Sequence, residues 1–129
     1  MNNPIKSVLI VDDSRMARMF IRRCLEIIGL NRENFIEAGD GREALSKLES
    51  SAVDLVIADL NMPLMDGKAL LRWMRAHENF DTIPIVFITS INNKTTSEEL
   101  MELGAHCVLN KPVSPKVLAP VLEKLLVFK

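Results

Sequence analysis

A chain of 129 residues, 48% of them apolar, is long enough to bury one core and too short to need two, so a single domain spanning 1–129 is expected. A formal net charge of −1 excludes bulk electrostatic steering toward nucleic acid or anionic lipid. Neither a basic leader followed by an apolar stretch nor a run of about 18 apolar residues is found, so the expected location is the cytoplasm.

The first predicted strand, Ser7 to Val11, is apolar throughout and runs into Asp12 and Asp13. Ser14 then caps a helix whose Ala17, Phe20, Ile21, Cys24, Leu25 and Ile28 share one face. Arg15, Arg18, Arg22 and Glu26 fall opposite as a solvated face, and Gly29 ends the helix. A second strand, Asn34 to Ala38, leads to a helix opening after Asp40, which forms a capping-box pair with Glu43. The third strand, Leu55 to Ala58, closes on Asp59. Asp66 reads as an ordinary turn residue, and Gly67 opens a helix carrying Leu70, Trp73, Met74 and His77.

The fourth strand, Ile85 to Ile88, is followed by Thr89 and Ser90. Its helix is expected to begin after Thr95 or Thr96, each with a glutamate three positions later. The fifth strand, Cys107 to Leu109, precedes Asn110 and Lys111. Ser114 and Pro115 then start a helix with Val117, Leu118, Val121, Leu122 and Leu125 on one face. Pro120 lies beyond its first turn and is expected to bend that helix or delay its start. Cys24 and Cys107 lack the spacing of a zinc or redox pair and read as reduced core thiols. His77 and His106 sit on different elements and read as structural, and the seven methionines read chiefly as core filler.

Strictly alternating strands and helices, with strands apolar along their whole length, predict an α/β fold with a doubly wound parallel sheet and helices on both faces. In such sheets ligands bind beyond the carboxyl ends of the strands. Those ends bring together Asp12, Asp13 and Asp59 with Thr89 and Lys111. Two carboxylates about 5 Å apart at an effective dielectric near 20 repel by roughly 3 kcal/mol, so three of them call for a divalent cation. An ionised Asp59 beside such a cation can attack phosphorus, while Lys111 neutralises one phosphoryl oxygen and the Thr89 hydroxyl donates to another. The chemistry implied is phosphoryl transfer.

Several motifs coincide: Val11-Asp12-Asp13-Ser14; Ala38-Gly39-Asp40-Gly41 with Glu43, Ala44 and Leu45; Asp59 with Met62, Pro63, Asp66 and Gly67; Thr89; and Lys111-Pro112. Together they make the chain resemble the receiver domain of two-component response regulators, most like the stand-alone chemotaxis-type members. The resemblance implies a flavodoxin-like (βα)5 fold with strand order 2-1-3-4-5. It implies that Asp59 takes a phosphoryl group from the phosphohistidine of a histidine kinase or histidine phosphotransfer protein. Mg²⁺, with Mn²⁺ as the alternative, would be held by Asp12, Asp13, Asp59 and the backbone carbonyl of Asn61. Thr89 and Lys111 would reorganise around the phosphoryl group and alter a target-binding face made by helix four, strand five and helix five. The same likeness suggests a cis Lys111–Pro112 bond and donor contact through the first helix, with Arg15 and Arg18 as candidates. It implies a switch that catalyses only its own phosphorylation and dephosphorylation, with no direct nucleic-acid or membrane partner.

The chain departs from the family pattern at Val108, where an aromatic switch residue is usual, and it contains no tyrosine. Pro120 alters the same face. Ile91, two residues after Thr89, and Asn61, two after Asp59, occupy positions that the family ties to dephosphorylation, and apolar Ile91 is expected to slow phosphate loss. Other function classes fit less well. Aspartate-nucleophile phosphatases place nucleophile and acid one residue apart after the first strand, and a flavin or nucleotide module would not put two acids where a phosphate must sit. A degenerate receiver used as a scaffold is the remaining alternative.

Overall fold

A computed structural model describes residues 5–90 and 93–127. Its elements are β1 (Val8–Val11), α1 (Arg15–Ile28), a 3₁₀ turn (Arg32–Asn34), β2 (Phe35–Ala38), α2 (Gly41–Ser50), β3 (Leu55–Ala58), α3 (Gly67–Ala76), β4 (Ile85–Thr89), α4 (Lys94–Glu102), β5 (Cys107–Asn110) and α5 (Pro115–Val127). The strands pair in the order β2-β1-β3-β4-β5, all parallel, as the alternating pattern and the resemblance imply.

Successive strand residues point to opposite faces of a sheet, so a strand apolar at every position must be covered on both. Leu9, Val56 and Phe87 pack on one face against Leu48 of α2, Leu70 and Met74 of α3 and Leu100 of α4. Ile10, Ile57 and Ile88 pack on the other against Ile21 and Leu25 of α1 and Leu118 and Leu122 of α5. Every charged group that is to act is thereby pushed to a rim. Among the described residues no helix is long and apolar enough to cross a membrane.

Local signals hold where the sequence carries them. The Ser14 side chain accepts from the Ala17 amide, and Gly29 ends α1 at φ 115°, with the Leu30 amide reaching back to the Leu25 carbonyl at 2.9 Å. Asp40 caps α2 by accepting from the Glu43 amide at 2.8 Å, while Glu43 accepts from the Gly39 amide at 2.7 Å. Cys24 is buried, Cys107 half-buried, and both are free thiols whose pKa burial pushes up. His77 is structural, its Nδ1 lying 2.6 Å from the Trp73 carbonyl and its ring stacked on Trp73.

Four expectations are corrected. Helix α4 begins at Lys94, not after Thr95 or Thr96, because Asn93 caps it by accepting from the Thr96 amide at 2.8 Å, and asparagine outranks threonine in that role. Asp66 is more than a turn residue, since it caps α3 through the Ala69 amide at 2.9 Å. Pro120 does not delay α5, which starts at Pro115 and runs through it; it is exposed, where water can satisfy the carbonyl that loses its helical donor. The arginines of α1 are not one solvated face. Arg18 and Arg22 both pair with Glu37 on β2, with only 17% of the Arg18 side chain exposed, whereas Phe20, expected in the core, is 50% exposed beside Met16 at 80%.

Candidate metal centre

The ladder residues set the site. The Asp59 amide donates to the Val11 carbonyl at 2.8 Å and the Asp12 amide to the Ala38 carbonyl at 3.1 Å, so each acid is the first residue past its strand. Since Val11 pairs with Ala58 in the parallel register, Asp12 and Asp59 leave adjacent strands side by side. Asp12 is 1% exposed and Asp59 7%, while Asp13 is exposed. One carboxylate oxygen from each of Asp12, Asp13 and Asp59 lies within 4.8 Å of the others. The predicted acid cluster is therefore assembled.

Lys111 enters the cluster from β5, with Nζ 2.9 Å from Asp12 Oδ2 and 3.7 Å from Asp59 Oδ2. Its own amide donates to the Thr89 carbonyl at 2.9 Å, which extends the β4–β5 ladder one residue past the Thr89–Asn110 pair. Thr89 and Asn110 thus belong to their strands instead of following them, and Thr89 is fully buried at the carboxyl end of β4. The Lys111–Pro112 bond is cis. Burial pushes the Asp59 carboxyl pKa up and the Asp12 charge adds to this, outweighing Lys111 and the Leu60 and Asn61 amides that donate to it. Burial alone would lower the Lys111 pKa, but its hydrogen bond to Asp12 and the charges of Asp12, Asp59 and Asp13 raise it.

The loop after β3 is braced by two glycines. A Cβ on Gly67 would lie 2.7 Å from the Asp59 carbonyl oxygen, and one on Gly41 would lie 2.5 Å from the Met65 carbonyl oxygen that the Gly41 amide binds at 3.2 Å. Between them the chain makes a γ-turn, with the Met65 amide on the Pro63 carbonyl at 2.7 Å and Leu64 at φ 66°. Met62 and Met65 are half-buried and pack against the core beneath. Asn61 is exposed next to Asp59; Ile91 lies outside the described residues.

Sequence reasoning put Arg18 on the solvated face and missed its contact with the acid turn. Its Nη1 donates to the Asp12 carbonyl at 2.6 Å while its Nε donates to Glu37 at 2.9 Å, which turns it inward toward the acid cluster. The clue lay in Glu37, a charged residue in an otherwise apolar strand covered by α1.

Three carboxylates against one ammonium leave two negative charges uncompensated at one rim of the sheet, where two of the acids are buried. A divalent, oxygen-seeking ion fits that charge. It also fits the spacing, because octahedral Mg²⁺ holds its ligand oxygens about 3 to 4 Å apart, within reach of small carboxylate rotations from the observed separation.

A family model described as the response regulator receiver domain matches residues 8–123. Chemotaxis protein CheY1 of Helicobacter pylori is 37% identical over 120 residues, which is 92% of this chain and 95% of that protein. Transcriptional regulatory protein GltR of Pseudomonas aeruginosa is 33% identical over 121 residues, 94% of this chain but 49% of that protein. The structure of chemotaxis response regulator CheY4 of Vibrio cholerae is similar with a TM-score of 0.82 and 32% identity, covering 95% of this chain and 99% of that one.

Proposed function

The chain belongs to the response regulator receiver domain family, and from that premise we propose that residues 1–129 form one receiver whose Asp59 accepts a phosphoryl group from a phosphohistidine donor. Receivers of this family are signalling switches that bind Mg²⁺ at an acidic pocket. The observation that carries the reading is the buried Asp59 carboxylate beside Asp12 and Asp13, with the Lys111 ammonium between two of the acids.

The residues divide the work. An Asp59 carboxylate oxygen attacks phosphorus, an acyl phosphate P–O bond forms, and the P–N bond to the donor imidazole breaks with its electron pair leaving on nitrogen. Asp12, Asp13, Asp59 and the Asn61 carbonyl would hold Mg²⁺, which when bound neutralises charge on the phosphoryl oxygens and orients the group. Lys111 moves its ammonium from the acids to an equatorial oxygen, and the Thr89 hydroxyl donates to a second. Water later attacks phosphorus, the P–O bond to the Asp59 oxygen breaks with its electron pair returning to the carboxylate, and inorganic phosphate leaves.

The donor on this reading is a histidine kinase or histidine phosphotransfer protein. It would meet the apolar cleft of about 260 Å³ between α1 and the segment after β5, where Met16, Phe20, Pro112 and Val113 lie beside Lys111. The target would meet α4, β5 and α5. Val108 of β5, half-buried opposite Phe87, takes the usual aromatic switch position, so transmission runs through Thr89 and its loop instead of a rotating ring. Chemotaxis-type signalling in the cytoplasm is the proposed setting, by likeness to the relatives named for it.

Purified protein incubated with acetyl phosphate and Mg²⁺ is expected to gain the mass of one phosphoryl group, and Asp59→Asn to gain none. A gain that persists in Asp59→Asn would place the acceptor elsewhere. No gain in the wild-type chain would leave a scaffold.

A further inference from the structure

We propose that Arg18 is a positioning residue for the cation site, acting through the backbone of the Asp12–Asp13 turn with Glu37 as its anchor. This rests on the acid cluster holding a divalent ion, and it adds a part that neither the motif pattern nor the ligand set contains.

Every polar atom of Asp12 is engaged. Its amide donates to the Ala38 carbonyl at 3.1 Å, its Oδ1 accepts from the Ser14 amide at 2.9 Å and its Oδ2 from Lys111 at 2.9 Å. The fourth, its carbonyl oxygen, accepts from Arg18 Nη1 at 2.6 Å. The carbonyl of residue 12 and the amide of residue 13 form one rigid plane. Holding that carbonyl therefore fixes the plane from which Asp13 departs, and Asp13 is the one exposed acid of the three. The buried pair is placed by the sheet; the exposed member is placed by Arg18.

Glu37 explains why the guanidinium serves the carbonyl and leaves the carboxylates alone. On β2, paired in register with Ile10, it accepts from Arg18 Nε and also from Arg22. Arg18 needs its planar fork to reach both Glu37 and the carbonyl, a geometry that a lysine ammonium cannot reproduce. Freed from Glu37, the same cation can swing toward the acids and compete with the metal.

The test is Mg²⁺ titration by calorimetry, paired with hydrogen exchange of the Asp13 and Ser14 amides in metal-free protein. Both use the full chain. Arg18→Met is expected to weaken Mg²⁺ binding roughly tenfold, as removing residues that orient metal ligands does, and to speed exchange at those two amides while the fold stays intact by circular dichroism. Arg18→Lys should fall between wild type and Arg18→Met, and Glu37→Gln should lose affinity in the same direction.

Unchanged affinity and exchange in folded Arg18→Met would overturn the proposal and leave the cation site standing. If Arg18→Met does not fold, Glu37→Gln decides, and unchanged affinity there overturns it. A wild-type chain that binds no Mg²⁺ would instead remove the cation site itself, and the positioning role with it.

Discussion

Leu64 shows how a single residue can carry strain for the loop that holds a site. At φ 66° it is the central residue of the γ-turn, a strained conformation for an L-residue that costs about 1 to 3 kcal/mol, and it is 75% exposed, so it recovers little by burial. Leu64→Gly is expected to raise stability by roughly 0.5 kcal/mol in urea denaturation, since relief of the γ-turn strain outweighs the extra chain entropy that glycine loses on folding. An unchanged or lower midpoint would mean that the exposed leucine makes a contact worth more than the strain. The placement of Asp12, Asp13, Asp59, Thr89 and Lys111 at the carboxyl ends of their strands was legible from sequence because each terminates an apolar run and needs only the sheet to be assembled. Leu64 and Arg18 were not. The γ-turn has no glycine to announce it, and the Arg18 partner Glu37 lies 19 positions away, visible only once β1 and β2 are paired.

Elements were read well where apolar period and capping chemistry agreed and less well where they competed. The strands and the first three helices follow from continuous apolar runs and from Ser14, Asp40 and Gly67. The face of α1 was misjudged because two apolar stripes run along it: Ile21 and Leu25 meet the sheet, while Met16 and Phe20 face outward. Beside β2 the guanidinium heads of Arg18 and Arg22 close on Glu37. That pairing makes α1 docking sensitive to acid. Burial alone would raise the Glu37 pKa, but the two arginines pull it below its ordinary 4.5. A carboxyl whose folded pKa is depressed contributes stability that is present above the ordinary value and lost as pH falls through the folded one. Glu37→Gln is therefore expected to be less stable than wild type at pH 7, with the gap narrowing as the pH falls below the ordinary 4.5 and through the lower folded value. Parallel melting curves across that range check it, and a constant gap would show that packing, not charge, is at stake.

At the scale of the whole molecule, both sheet faces are covered by apolar contacts except where Glu37 of β2 meets Arg18 and Arg22, and the like charges of the three aspartates gather at one rim. The raised Asp59 pKa means that the folded state resists the charge it carries there. Without divalent cation, Asp59→Asn is expected to be more stable than wild type by roughly 0.5 to 2 kcal/mol, and added Mg²⁺ should raise the wild-type melting point far more than that of the variant. Equal Mg²⁺ responses would place the ion outside the acid cluster. The Lys111 amide bound to the Thr89 carbonyl carries a consequence of its own. The hydroxyl and the ammonium hang from two strands spliced at that point, so a pull on either one tugs the other. The β5 edge of the sheet is thus mechanically in series with the acids through Lys111.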